Sequence, residues 1–98
     1  MAYDEIRVVY ELMDDMSTTF NQSLEQLQDT SQEMLMISNT MADGALLGDG
    51  GSEFVEAING KLVPAIAKIA DKMGELRDDV QAAKEYAQEA DQSSSAQF

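Results

Sequence analysis

The side chains of this protein that could do acid–base or metal chemistry are its carboxylates, because it contains no His and no Cys. Those absences remove the commonest general base, the thiol nucleophile and the usual transition-metal ligands together, and leave no disulfide. Two carboxylate pairs invite inspection, Asp14–Asp15 and Asp78–Asp79. Neighbours on a helix diverge by about 100°, so neither pair converges on one substrate atom. The glycine-rich centre, Asp43-Gly44-Ala45-Leu46-Leu47-Gly48-Asp49-Gly50-Gly51-Ser52, invites two further readings. As a calcium loop from Asp43 it would need oxygen ligands where Ala45 and Leu47 stand, and an acid at Phe54. As a phosphate cradle it lacks the Gly-Lys-Ser/Thr ending and a preceding strand. The residues indicate no enzyme, no metal and no cofactor. The glycines read instead as a reversal of the chain.

What that reversal joins is two amphipathic helices. Before it, apolar residues recur in alternating steps of three and four: Ile6, Val9, Met13, Met16, Phe20, Leu27, Met34, Ile37 and Met41, with Ser23 and Thr30 as the polar exceptions. After it come Val55, Leu62, Ile66, Ile69, Met73, Leu76, Val80, Ala83, Ala87 and Ala90, with Asn59 as the exception. Such spacing predicts two helices with a coiled-coil-like seam. Helix 1 is expected over about 4–41, the turn over 42–51 and helix 2 over about 52–91, with a flexible tail at 92–98. Ser52 is the expected N-cap of helix 2. Pro64 removes one backbone hydrogen bond and presses on the carbonyl of Gly60, so a kink is expected near 60–64.

Folded about Leu46 and Leu47, the helices bring the small Ala83, Ala87 and Ala90 alongside Ile6, Val9, Tyr10 and Met13, so that large faces small. The fold class is therefore all-α, an antiparallel two-helix hairpin. Tyr10, Leu12, Leu24, Ile58, Ala65 and Tyr86 flank the seams and would remain wet in a lone hairpin. Pairing two hairpins into a four-helix bundle buries them.

Charge limits the partners. Nineteen acidic against six basic residues give a net charge of −13, which excludes nucleic acid, whose binding requires clustered Lys and Arg. Anionic lipid would repel the chain, and no apolar run approaches the roughly 18 residues of a membrane span. Arg7 is the only basic residue of the first half, so a partner with basic surface would fit there. The start, Met-Ala-Tyr-Asp-Glu, lacks the basic and apolar regions of a cleaved leader.

At the turn the sequence resembles a known family. Leu46-Leu47-Gly48, followed six residues later by Phe54, is similar to the Trp-x-Gly turn of the hundred-residue WXG (ESAT-like) family of bacterial type VII secretion, with Leu46 in the place of Trp. The ending Tyr86-Ala-Gln-Glu-Ala-Asp-Gln, and then Phe98, resembles the family's C-terminal stretch. The resemblance implies a protein of bacterial cytoplasm that is secreted without a cleaved leader. It further implies a homodimer or a heterodimer with a similar small helical protein, and contact with the secretion machinery. Tyr86, with Glu89 and Asp91, corresponds to the family's export signal, although the family's acid stands four residues after its Tyr and here Ala90 holds that position. Two alternatives stand beside it: a cytoplasmic helper for a larger exported toxin, and a structural coiled-coil adaptor unrelated to secretion.

Overall fold

The structure, a computed structural model, describes residues 2–45 and 48–96; Leu46, Leu47 and Phe98 lie outside the described residues. Helix α1 spans Ala2–Thr40. Nothing in that stretch interrupts it, since it contains neither Gly nor Pro, and Asp4 and Glu5 in its first turn suit the positive end of the helix dipole. A wide turn, Met41–Ala45, follows, and inside it Gly44 takes φ 116° and ψ 6°. This left-handed conformation leads the chain out of the helix at little cost only because Gly has no Cβ.

Helix α2 spans Asp49–Ala57. Its N-cap is Gly48, at φ 97°, and the amide of Ser52 closes the first turn on the Gly48 carbonyl at 3.2 Å. The helix thus starts earlier than Ser52, the expected cap. Gly50 and Gly51, expected in the turn, are helical, as glycine can be where the first turn leaves amides unpaired anyway. A π-helical stretch, Ile58–Leu62, links α2 to α3, Val63–Ala96. The Val63 amide bonds the Ile58 carbonyl, five residues back, and the backbone stays right-handed helical on both sides. The expected kink at Pro64 therefore takes the form of one widened turn. It absorbs the missing N–H of Pro64 and the pressure of its ring. Helix α3 also continues past Asp91 to Ala96, into the segment expected to be a tail, since no Gly or Pro stops it there. The described residues form a helical hairpin with no strand.

Two compact units make up the chain. One combines Met1–Gln22 with Met73–Phe98, and the other is Ser23–Lys72. In the second unit Ile58, Ile66 and Ala70 are buried, and Ser38 is fully so. In the first unit the buried residue among the described ones is polar, Ser17.

The two positive-φ glycines make opposite predictions from their helical neighbour. Nothing lies within 4 Å of a Cβ at Gly44, Gly48 or Gly50, so backbone conformation alone decides. Gly44→Ala and Gly48→Ala are expected to lower stability by ~1–3 kcal/mol in chemical denaturation. Gly50→Ala is expected to raise it by ~0.5–1 kcal/mol. A loss at Gly50 equal to that at Gly48 would place the helix start after residue 50.

Candidate functional site

A heptad seam needs two lines of inward residues on each helix. In α1 and the turn after it, the half-buried and buried lines are Met13, Phe20, Leu27, Met34 and Met41, and Tyr10, Ser17, Leu24, Ser31 and Ser38. In α3 they are Ile66, Met73, Val80 and Ala87, and Val63, Ala70, Arg77 and Lys84. One line of each helix coincides with the seam expected from spacing. The other lies one residue further on. Of the nineteen apolar residues expected on the seams, Met13, Phe20, Leu27, Met34, Met41, Val55, Ile66, Met73, Leu76, Val80 and Ala87 are buried or half-buried, while Ile37, Ala83 and Ala90 are exposed. Ile6, Val9, Met16, Leu62 and Ile69 are exposed in the single chain, Val9 by 52% and Ile69 by 48%.

The displacement has a physical reason. The line taken inward carries small serines on α1, and small side chains let two helices approach closely. Ser31, Ile66, Ala67 and Ala70 line an open groove with Leu27 and Gln28 in the second unit, as small residues at a seam would leave. The Ser38 hydroxyl is buried without a hydrogen-bond partner. In the first unit Arg77 and Lys84 occupy the inward line of α3. Their aliphatic stems cover the seam while their charged ends reach acceptors at its edge.

Those ends make a ladder between α1 and α3 within the first unit. The Lys84 ammonium donates to Asp14 Oδ1 at 2.7 Å, and Gln81 Nε2 donates to the buried Ser17 Oγ at 2.8 Å. Arg77 Nη1 donates to Asn21 Oδ1 at 2.6 Å, while its Nε donates to Asp78 at 3.0 Å. Nearest the chain ends, the Tyr10 hydroxyl donates to Asp91 Oδ2. The Lys84 bond holds the Asp14 carboxyl below its ordinary value. Asp91 raises the Tyr10 phenol, first through their hydrogen bond and then, after a contribution from burial, through its charge. None of Ser17, Asn21, Arg77, Gln81 and Lys84 follows from an apolar pattern. The signal that could have found them is a second set of seven-residue repeats whose polar members pair at one constant antiparallel register.

The residues singled out as interaction motifs lie elsewhere. Gly48 caps α2, and Phe54 on α2 is exposed. Tyr86 is 77% exposed, so it does not pack into the seam. Glu89 is exposed beside it, whereas Asp91, though exposed, accepts the Tyr10 hydroxyl. No described helix is long and apolar enough to cross a membrane.

The sequence profile of the family WXG100, proteins of 100 residues with WXG, matches residues 5–92. No curated protein and no solved structure gives a match to this chain.

The two shifted groups make pH predictions of opposite sense. Asp14 titrates lower in the folded chain, so its contribution is present above the ordinary carboxylate value of 3.8 and is lost as pH falls through the folded value. Tyr10 titrates higher, so its contribution is present below 10.0 and is lost as pH rises through its folded value. In urea melts, the stability difference between wild type and Asp14→Asn should therefore shrink toward strongly acidic pH. The difference for Tyr10→Phe should shrink only in strongly alkaline solution. A Tyr10→Phe difference that already vanishes near neutrality would mean that the phenol gains nothing from Asp91.

Proposed function

We propose, from the premise that the chain belongs to the WXG100 family of small helical type VII secretion proteins, that it acts by pairing its exposed apolar flank with a second small helical chain. Members of this family are secreted by type VII systems in bacteria and typically pair with similar small helical proteins. The observation that carries the reading is the line of apolar residues one position before the inward line. In the first unit it exposes Val9 and Met16, with Ile6 and Leu12 also exposed on the same helix. In the second it exposes Ile37, Leu62 and Ile69. Exposed apolar side chains at heptad spacing mark a contact surface, because a hairpin of two helices has no third element to cover them.

The product of this pairing is an antiparallel four-helix bundle, formed with a second copy or with a related chain. A net charge of −13 favours a partner that brings basic residues to the bundle, since two copies would add their self-repulsion. Within the bundle, the turn at Leu46, Gly48 and Phe54 and the tail at Tyr86, Glu89 and Asp91 serve the secretion machinery as recognition features. The exposure of Tyr86 supports this role, because a receptor can reach it without unfolding α3. The protein is made in the bacterial cytoplasm and leaves the cell as a folded pair.

Two isoleucines three residues apart separate pairing from folding. Ile66 is 8% exposed, and Ile66→Asp would bury an unpaired carboxylate at a cost of several kcal/mol, with loss of helical circular dichroism. Ile69→Asp is expected to keep the helical signal and to lose the dimer mass in light scattering, alone or mixed with the partner. Retained pairing in Ile69→Asp would remove the apolar flank as the interface. Tyr86→Ala should leave stability within about 0.5 kcal/mol and abolish appearance in the medium. Export that persists in a folded Tyr86→Ala protein would move the signal to the partner chain.

A further inference from the structure

We infer that Tyr10 is a positioning residue for the C-terminal end of α3: by holding Asp91, it clasps the helix turns that carry Tyr86 and Glu89 against α1. The inference rests on the tail reading above only for its consequence in export. The clasp itself stands on the contacts within the first unit.

Helix ends fray because their last carbonyls and first amides lack partners. The end of α3 is rich in such risk. From Gln81 to Gln92 its inward residues, Gln81, Lys84, Ala87 and Gln88, are polar, charged or Ala, so little apolar burial holds it down. Side chains of α1 supply the hold instead. Lys84 is tied to Asp14 at 2.7 Å, and its side chain is only 17% exposed. Asp91, two turns further along, is tied to the Tyr10 hydroxyl. Beyond Asp91 no described side-chain contact to α1 is present. Among the described side chains, Tyr10 is thus the outermost point at which α3 is held.

The two contacts also fix helical phase. Lys84 and Asp91 are seven residues apart, two turns of a helix, and so lie on one face. Tyr86 and Glu89 lie on other faces, and both are exposed. Holding Lys84 and Asp91 on the face toward α1 therefore keeps Tyr86 and Glu89 turned away from it together. Without the outer tie, the turns after Lys84 are free to unwind. A receptor would then have to order them as it binds, which lowers affinity.

The ring of Tyr10 is half-buried on the inward line, so Tyr10→Phe keeps the packing and removes only the hydroxyl. Amide hydrogen exchange on the full chain is the test. Tyr10→Phe should speed exchange several-fold over residues 86–96 and leave residues 58–73 unchanged, and Asp91→Ala should do the same. The double variant should add nothing to either single one. Unchanged exchange over residues 86–96, a uniform rise along the chain, or additive effects of the two substitutions would each overturn the clasp. The consequence for export is a several-fold drop in secretion of Tyr10→Phe in a protein that stays folded and helical. Normal secretion of that variant alongside a lost Tyr86→Ala would show that the clasp does not serve the tail. Exchange decides the clasp, and export of Tyr86→Ala decides the tail reading, so either can fail visibly without the other.

Discussion

A layer of two helices has one inner face, and each helix can turn only one stripe toward it. In this chain α1 and α3 each carry apolar residues wide enough for a stripe and a half. The line through Met13, Phe20, Leu27 and Met34 goes inward, as does that through Ile66, Met73 and Val80. Their companion lines must then be chosen from two neighbours, one apolar and bulky, the other small or polar. The line that carries the small and polar residues goes inward. Ser17, Ser31 and Ser38 with Ala70 permit close approach, and Val9, Met16, Ile37, Leu62 and Ile69 are left facing water. The chain thus buries serines on one companion line while a neighbouring apolar line stays exposed beside a seam fitted to two helices.

The same choice explains the polar ladder. Once Arg77 and Lys84 fall on the inward line, their charges need acceptors, and Asn21, Asp78 and Asp14 supply them. Exposed ion pairs contribute little to stability, typically about 0–1 kcal/mol. Their value here is geometric. Gln81 meets Ser17 where the hydroxyl is almost wholly buried, and slipping the helices by one turn would leave that pair unsatisfied. Polar groups on a seam fix register in this way, at some cost in stability. In the second unit register rests on shape instead, with Ile58, Ile66 and Ala70 packed inside.

Helix α1 and the reversal were legible in the sequence because a run without Gly or Pro and a cluster of glycines are unambiguous signals, and the second helical half was legible from its apolar spacing despite Gly60, Pro64 and Gly74. The seam was legible to within one residue. Steps of three and four define an apolar stripe, but residues adjacent in sequence differ by only about 100° around the helix. When Met16 and Ser17 compete for the inside, hydrophobicity chooses Met16. The structure chooses Ser17, because steric fit and the bond from Gln81 outweigh the burial of one thioether. The start of α2 was misplaced for a related reason. Ser52 is the better capping side chain, yet Gly48 provides the positive φ that the chain needs to enter the helix. The bond between Tyr10 and Asp91 links residues 81 apart in sequence, and only the hairpin register reveals it. The exposure of Tyr86 depends on that register too.

Membership in a family of secreted partners gives the unsatisfied flank its meaning. An exposed apolar line on a monomer is a liability, since it invites association with any similar surface. It becomes specific when the geometry beside it is fixed, because a partner then meets a surface of one shape. Met16 and Met36 on the outside of α1 soften that requirement, as thioether side chains adapt to the surface they meet. Anything that binds the folded chain and not the unfolded one adds to its stability in proportion to the logarithm of its concentration over its dissociation constant. A chain of this size buries a limited core, so that added stability is a substantial share of the whole. Under the proposed pairing, folding and association would form one equilibrium, coupled through the apolar residues that the single hairpin leaves exposed.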